Sequence, residues 1–171
     1  MRFGDPTAFA IECIHEPIPN SNRWVFGRMC IWAGGEQLGN IDEPACMLNV
    51  TARHLTGVLK RLPELDEPAF SELSDAVLYD LLDHALYVDD GRTPVQVASD
   101  ATRYFKFDFL TNGGESFDRS RSFIASSNGQ VRLLFSEPPR GLVASRVDAV
   151  AFATAVTEFL AWLESEGNNG G

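Results

Sequence analysis

The stretch Trp24-Val25-Phe26-Gly27-Arg28-Met29-Cys30-Ile31-Trp32-Ala33-Gly34-Gly35-Glu36-Gln37-Leu38-Gly39-Asn40 decides the fold class. A run rich in aromatic and branched side chains ends at a Gly-Gly pair, and a shorter segment leads away from it. The pattern predicts a strand over residues 24–33, a tight turn at Gly34-Gly35 and a short strand near Glu36–Asn40, which together make an antiparallel hairpin. Period-two spacing places Trp24, Phe26, Cys30 and Trp32 on one face, expected to be the buried one. Arg28 falls on that face and interrupts it.

Toward the N-terminus, residues 7–14 read as another strand with Phe9, Ile11 and Cys13 inward, followed by a loop marked by Pro17, Pro19, Asn20 and Asn22. In the other direction, Thr51 reads as the N-cap of a helix carrying Leu55, Val58, Leu59 and Leu62, which Pro63 ends. Asp66 or Glu67 caps a second helix with Pro68 near its first position. Its inner stripe is expected to be Leu73, Val77, Leu81 and Ala85, flanked by Leu78 and Leu82. Strands then return. Phe105, Phe107 and Phe109 alternate with Tyr104, Lys106 and Asp108, and a turn follows at Asn112-Gly113-Gly114. Residues 121–126 and 130–136 form a hairpin about Asn128-Gly129, with Val131, Leu133 and Phe135 inward and Pro138-Pro139 closing it. A last helix begins at Ser145, with Asp148 completing a capping box. It buries Phe152, Ala155, Val156, Phe159, Leu160 and Leu163. Strands, two helices, strands and one helix give an α+β fold, an antiparallel sheet packed against about three helices. One domain over residues 1–166 is expected, with a flexible Gly/Asn tail at 167–171.

The chain has 171 residues, 14 basic and 24 acidic, for a net charge of −10. Twelve Phe and three Trp argue against disorder. The charge disfavours a nucleic-acid or anionic-membrane ligand, and a basic partner is its complement. Met1-Arg2-Phe3-Gly4-Asp5-Pro6 lacks the apolar core of a signal peptide, and no apolar run approaches the roughly 18 residues of a membrane span. A cytoplasmic location is expected. Cys13, Cys30 and Cys46 are odd in number and form no Cys-x-x-Cys, so they read as buried reduced thiols.

Catalytic patterns are missing. His15, His54 and His84 have no metal-ligand spacing, and neither Gly-x-Ser-x-Gly, Ser-x-x-Lys nor a phosphate loop occurs. No catalytic residue, cofactor or metal is expected. What stands out is the charge distribution. Residues 62–91 contain nine acids (Glu64, Asp66, Glu67, Glu72, Asp75, Asp80, Asp83, Asp89 and Asp90) and no Lys or Arg. With Leu73, Val77 and Leu81 inward, Glu72, Asp75 and Asp83 fall outward and Asp80 near the boundary. A solvated face would explain this, and so would a docking surface for a basic protein. On the docking reading the contact set is Glu72, Asp75, Tyr79, Asp80, Asp83, Asp89 and Asp90, with Tyr79 exposed and Tyr87 buried. Charge reversal at Asp75 and Asp83 is then expected to slow association without moving the melting temperature.

The first third resembles the immunity protein 42 family of bacterial polymorphic toxin systems. The resemblance rests on Phe3-Gly4-Asp5, Phe9-Ala10-Ile11-Glu12, Trp24-Val25-Phe26-Gly27-Arg28, Ile31-Trp32-Ala33-Gly34-Gly35 and Gln37-Leu38-Gly39. The final helix around Phe152–Leu163, with Trp162, is also similar, whereas Thr51-Ala52-Arg53-His54 departs from the family's polar lead-in and residues 62–100 match nothing. The resemblance implies a cytoplasmic protein that binds a cognate toxin and blocks it, without catalysis or cofactor. The acidic charge points to a basic toxin, and a nuclease, whose cleft must hold phosphates, fits best. Two other classes compete. A small hydrolase with dispersed residues, using Cys30 or a His–Asp pair, would show a deep pocket with a shifted pKa. A secretion chaperone would dimerise through an exposed apolar sheet face.

Overall fold

The structure is a computed structural model describing residues 1–18 and 23–169. Pro19, Asn20 and Asn22 of the expected loop, and Gly170-Gly171 of the expected tail, lie outside the described residues. Strands β1 (Arg2–Asp5), β2 (Phe9–His15), β3 (Phe26–Ala33), β4 (Glu36–Leu38) and β5 (Cys46–Met47) come first, then helix α1 (Leu48–Arg61). A 3-10 turn at Leu62–Leu65 leads to α2 (Pro68–Ser71), α3 (Asp75–Tyr87) and α4 (Pro94–Tyr104). Two further 3-10 turns, Phe105–Phe107 and Glu115–Phe117, precede β6 (Arg121–Ser127), β7 (Gln130–Ser136), β8 (Val143–Asp148) and α5 (Ala149–Asn169). The α+β class is as expected. The described residues, however, form two antiparallel sheets rather than one and five α-helices rather than three.

The first sheet has the order β1-β2-β3-β4, with β5 also on β3. The β3–β4 hairpin turns at Gly34 and Gly35, whose φ of +61° and +83° are left-handed conformations that glycine adopts without strain. The face expected to be buried on β3 is the wrong one. Phe9 pairs with Ala33, Ile11 with Ile31 and Cys13 with Met29. Directly paired residues share a face, so the inward side of β2 forces Met29, Ile31 and Ala33 inward. Trp24, Phe26, Arg28 and Trp32 are left on the outer side, where Trp24 is 46% exposed; Cys30 shares their parity but is fully buried. Arg28 therefore interrupts nothing: it donates to Glu16 at 2.5 Å. The Trp32 indole and Arg2 both donate to Glu12, at 2.8 and 3.1 Å.

Helices α1 and α5 pack on this sheet. Met47, not Thr51, is the N-cap of α1. Thr51 lies inside the helix, buried, and its hydroxyl donates to the Gly113 carbonyl at 2.6 Å. The capping box expected at Ser145 is also displaced. Residues 143–148 continue the second sheet as β8, with Ser145 buried in it. The Asp148 carboxylate caps α5 by accepting the Val150 and Ala151 amides, each at 2.9 Å. The α5 stripe is as read: Phe152, Ala155, Val156, Phe159 and Leu163 are buried and Leu160 half-buried. The helix continues through Asn169, so residues 167–169 are helical rather than tail.

The second sheet, β6-β7-β8, contains the expected hairpin, with Asn128 and Gly129 at φ +51° and +76°. Val131–Phe135 are all buried, Arg132 included. Residues 105–109 are not a strand. Phe105 is 60% exposed, the chain winds through a 3-10 turn, and buried Asp108 forms a lone bridge to Phe123. Alternation over five residues is too short to separate a strand from a turn that buries two of three phenylalanines. Before it, α4 carries an N-terminal signal: Thr93 and Gln96 form a reciprocal capping box, with Pro94 at the first turn. The two sheets share one core. Phe152 of α5 packs against Phe9 at 4.6 Å and Phe109 at 6.2 Å between ring centroids.

Candidate functional site

The second helix of the sequence reading is broken. One turn at α2 stops, and Ser74 restarts the helix by accepting the Val77 amide at 3.3 Å. The buried stripe of α3 is Leu78, Leu82 and Ala85, while Val77 is 52% exposed and Leu73 and Leu81 are half-buried. The helix is thus rotated about its axis relative to the expected stripe, and the acids move with it.

Asp75 does not face outward. It lies one turn before Leu78 on the inner side, where its carboxylate accepts from Arg132 at 2.6–2.7 Å and Arg146 at 3.1 Å. Arg132, on the central strand β7, also donates to the Phe70 and Leu73 carbonyls at 3.0 and 2.8 Å. It closes the gap between α2 and α3 with five hydrogen-bonding protons that a buried site must satisfy. Charge reversal at Asp75 would leave Arg132 buried without its counter-charge, so it would change folding rather than encounter alone. Asp83 also turns inward, with Arg121 at 3.4 Å. Tyr79 is half-buried rather than exposed, its ring edge-on to Phe123 at 5.3 Å. Tyr87 is half-buried too, beneath the Arg121 guanidinium at 4.0 Å.

Asp90 belongs to a knot that nothing in the sequence reading anticipated. Arg92 donates to Asp90 at 2.7 Å and to Asp100 on α4 at 2.6 Å. It also donates to the His84, Ala85 and Val88 carbonyls at 2.7–3.1 Å. Those carbonyls end α3 and have no partner within the helix, so one guanidinium both caps α3 and ties α4 to it. His84 lies 2.7 Å from the other oxygen of Asp90. The contact with Arg92 holds the Asp90 carboxyl below its usual range. An arginine following a helix with Asp residues two before and eight after it was the available signal.

Three of the nine acids in residues 62–91 (Asp75, Asp83 and Asp90) therefore have internal cations. The other six, Glu64, Asp66, Glu67, Glu72, Asp80 and Asp89, form no ion pair among the described residues. All are exposed except half-buried Glu67. Beside Asp80, an open groove of about 510 Å³ runs between α3 and α4, lined by Val77, Leu81, His84, Arg92, Asp100 and Tyr104 among others.

Chemistry is poorly served elsewhere. Burial pushes the Cys13 and Cys30 thiols up to about 11 and about 12, with the nearby Glu12 charge adding to the effect at Cys30, so neither is a thiolate nucleophile. All three cysteines are free and buried, as expected. No group of three or more His, Cys, Asp or Glu among the described residues could hold a metal ion. The buried Asp108 carboxyl is raised by burial although it accepts the Tyr87 hydroxyl at 2.7 Å. Arg61 clamps the same segment by donating to the Lys106 and Asp108 carbonyls at 2.8 and 2.7 Å. Every partner in this cluster joins one packed element to another. No described helix is long and apolar enough to cross a membrane.

No curated protein matches the chain. Its structure is similar to that of a CdiI from Burkholderia dolosa AUO158, with a TM-score of 0.66 and 16% identity over 95% of this chain and 99% of that one. At that identity the likeness is one of fold. The immunity protein 42 model matches residues 1–162, a span that takes in both sheets, all of α1–α4 and most of α5. The chain belongs to the immunity protein 42 family.

Proposed function

We propose that the chain neutralises a cognate toxin by binding it tightly and covering its working surface, without catalysis, in the cytoplasm of the cell that makes it. Family membership and the structural likeness to a CdiI support the role. The observation that carries the mechanism is the run of carboxylates over residues 62–91, six of which keep their charge unspent inside the molecule. Such a surface draws in a basic protein and costs it little to desolvate at the rim. A nuclease toxin, whose cleft is basic because it holds phosphates, is the partner this charge fits. Protection at low toxin concentration calls for nanomolar affinity, about −12 kcal/mol, which a standard interface of roughly 1,600 Å² can supply.

The test is co-expression with the toxin domain encoded by the neighbouring reading frame, followed by binding kinetics on the purified pair. Growth is expected to be restored at one inhibitor per toxin. The association rate is expected to fall about tenfold or more between low salt and about 0.15 M. A rate indifferent to salt would reject the electrostatic mechanism, and failure to restore growth would reject the role.

A further inference from the structure

Helix α4 is peculiar in what it leaves uncovered. None of its residues is buried, and Val95 and Val97 are 79% and 45% exposed. Phe105, immediately after it, is 60% exposed, and Val77 across the groove 52%. Of the twelve large apolar side chains exposed among the described residues, five (Val77, Val88, Val95, Val97 and Phe105) fall within residues 77–105, so the exposure is concentrated rather than scattered. The helix is held by a capping box, the Arg92 knot and half-buried Tyr104 at its end, and its two valines are left uncovered.

The surface is also charged in one sense. Asp80, which lines the groove, and Asp89, in the loop joining the two helices, form no ion pair among the described residues. Asp90 and Asp100 share the single guanidinium of Arg92. Arg103 lies over the Tyr104 ring at 5.1 Å, at one end of the groove. In and around the groove, the carboxylates of Asp80, Asp89, Asp90 and Asp100 outnumber the Arg92 and Arg103 guanidiniums, with the His84 imidazole 2.7 Å from Asp90. The open face of the first sheet differs: it too shows aromatic side chains, but Arg2 is matched by Glu12 and Arg28 by Glu16, so it has no charge to offer.

We propose that the groove between α3 and α4 is where the toxin docks, and that it takes a segment whose apolar side chains lie between Val77 and Val97 while flanking Lys or Arg side chains meet Asp80 and Asp89. This rests on the inhibitor role proposed above. Asp100 and Tyr104 line the groove from α4, with exposed Val97 one turn before Asp100 on the same helix face, and Val77, Asp80 and Leu81 line it from α3, so apolar side chains and carboxylates lie together there. That arrangement is the complement of a cationic amphipathic segment.

The experiment measures the affinity of the full chain for the toxin domain encoded next to it, with four single variants at exposed positions. Val77→Lys and Val97→Lys are each expected to weaken binding about 30-fold, as loss of an interface anchor does. Asp80→Lys is expected to slow association about tenfold. Ile14→Lys, 41% exposed on the first sheet, is expected to change neither. Melting temperatures report that each variant is folded. Hydrogen exchange on the wild-type complex reads the same surface without any substitution and is expected to show new protection over residues 75–104. Wild-type affinity in the Val77 and Val97 variants, or protection elsewhere, would overturn the site while leaving the inhibitor role in place. A wild-type chain that does not bind the toxin domain would overturn both.

Discussion

At the scale of the residue, the informative positions are polar groups that the fold has taken out of water. Asp108 accepts from Tyr87, yet burial still raises its pKa. A carboxyl raised in the folded state binds its proton more tightly there than in the unfolded chain. Below the ordinary carboxylate range both states hold the proton and the group costs nothing. As pH rises through that range the unfolded chain releases it first, and stability falls until the folded group has ionised as well. Asp108→Asn, which keeps the acceptor for Tyr87 and never ionises, is expected to stabilise the protein more at pH about 7 than at pH about 3. Urea melts at the two pH values read this, and a gain no larger at neutral pH would refute it. None of this was legible in the sequence, where Asp108 alternates with phenylalanines and reads as the wet side of a strand. Thr51 misleads in the same way. A threonine ahead of a leucine-rich run has the form of a cap, but its hydroxyl is used on Gly113, 62 residues away. Distant partners leave no mark on local spacing.

At the scale of the element, local signals worked where the element's own residues decide its geometry. The Gly34-Gly35 and Asn128-Gly129 turns and the α5 stripe are where the sequence puts them. They failed where a neighbour decides: β3 could bury either face until β2 was laid beside it. The rotation of α3 is a similar case, because Arg132 on β7 draws Asp75 inward and carries Leu78 and Leu82 with it. Of the seven expected contact residues, Asp75, Asp83 and Asp90 are paired within the chain, whereas Glu72, Asp80 and Asp89 keep exposed carboxylates. The α4 helix was readable in Thr93-Pro94-Val95-Gln96, though its attachment by Arg92 was not. Arg92→Ala is expected to raise amide exchange across residues 94–104 roughly tenfold or more while β7 stays protected, since none of α4's residues is fully buried and only Tyr104, at its end, packs against the core. Equal exchange in variant and wild type would show that the capping box alone suffices.

At the scale of the whole molecule, two sheets that share no hydrogen-bonded strand are joined through α5. Phe152 touches Phe9 of the first sheet and Phe109 beside the second, so its ring belongs to both halves. Phe152→Ala is expected to cost about 3–5 kcal/mol and to lower a single cooperative transition. Calorimetry that resolved two transitions, with only one displaced, would show that the halves fold separately. The charge balance also acts at this scale. Ten surplus negative charges favour solubility and long-range attraction, and residues 62–91 hold nine of the 24 acids with no Lys or Arg among them.

The three indoles are placed unevenly. Trp24 and Trp32 sit on the open side of the first sheet, and Trp162 stacks on Phe3 within 5.7 Å, while the α3–α4 pair contains none. Intrinsic fluorescence of this chain is consequently a gauge of one half of the molecule. It would register the melting of the first sheet and stay quiet when a ligand settles between the two helices. Any emission change on mixing would then be credited to tryptophans of the other protein, which makes the inhibitor a steady background against which its target can be watched.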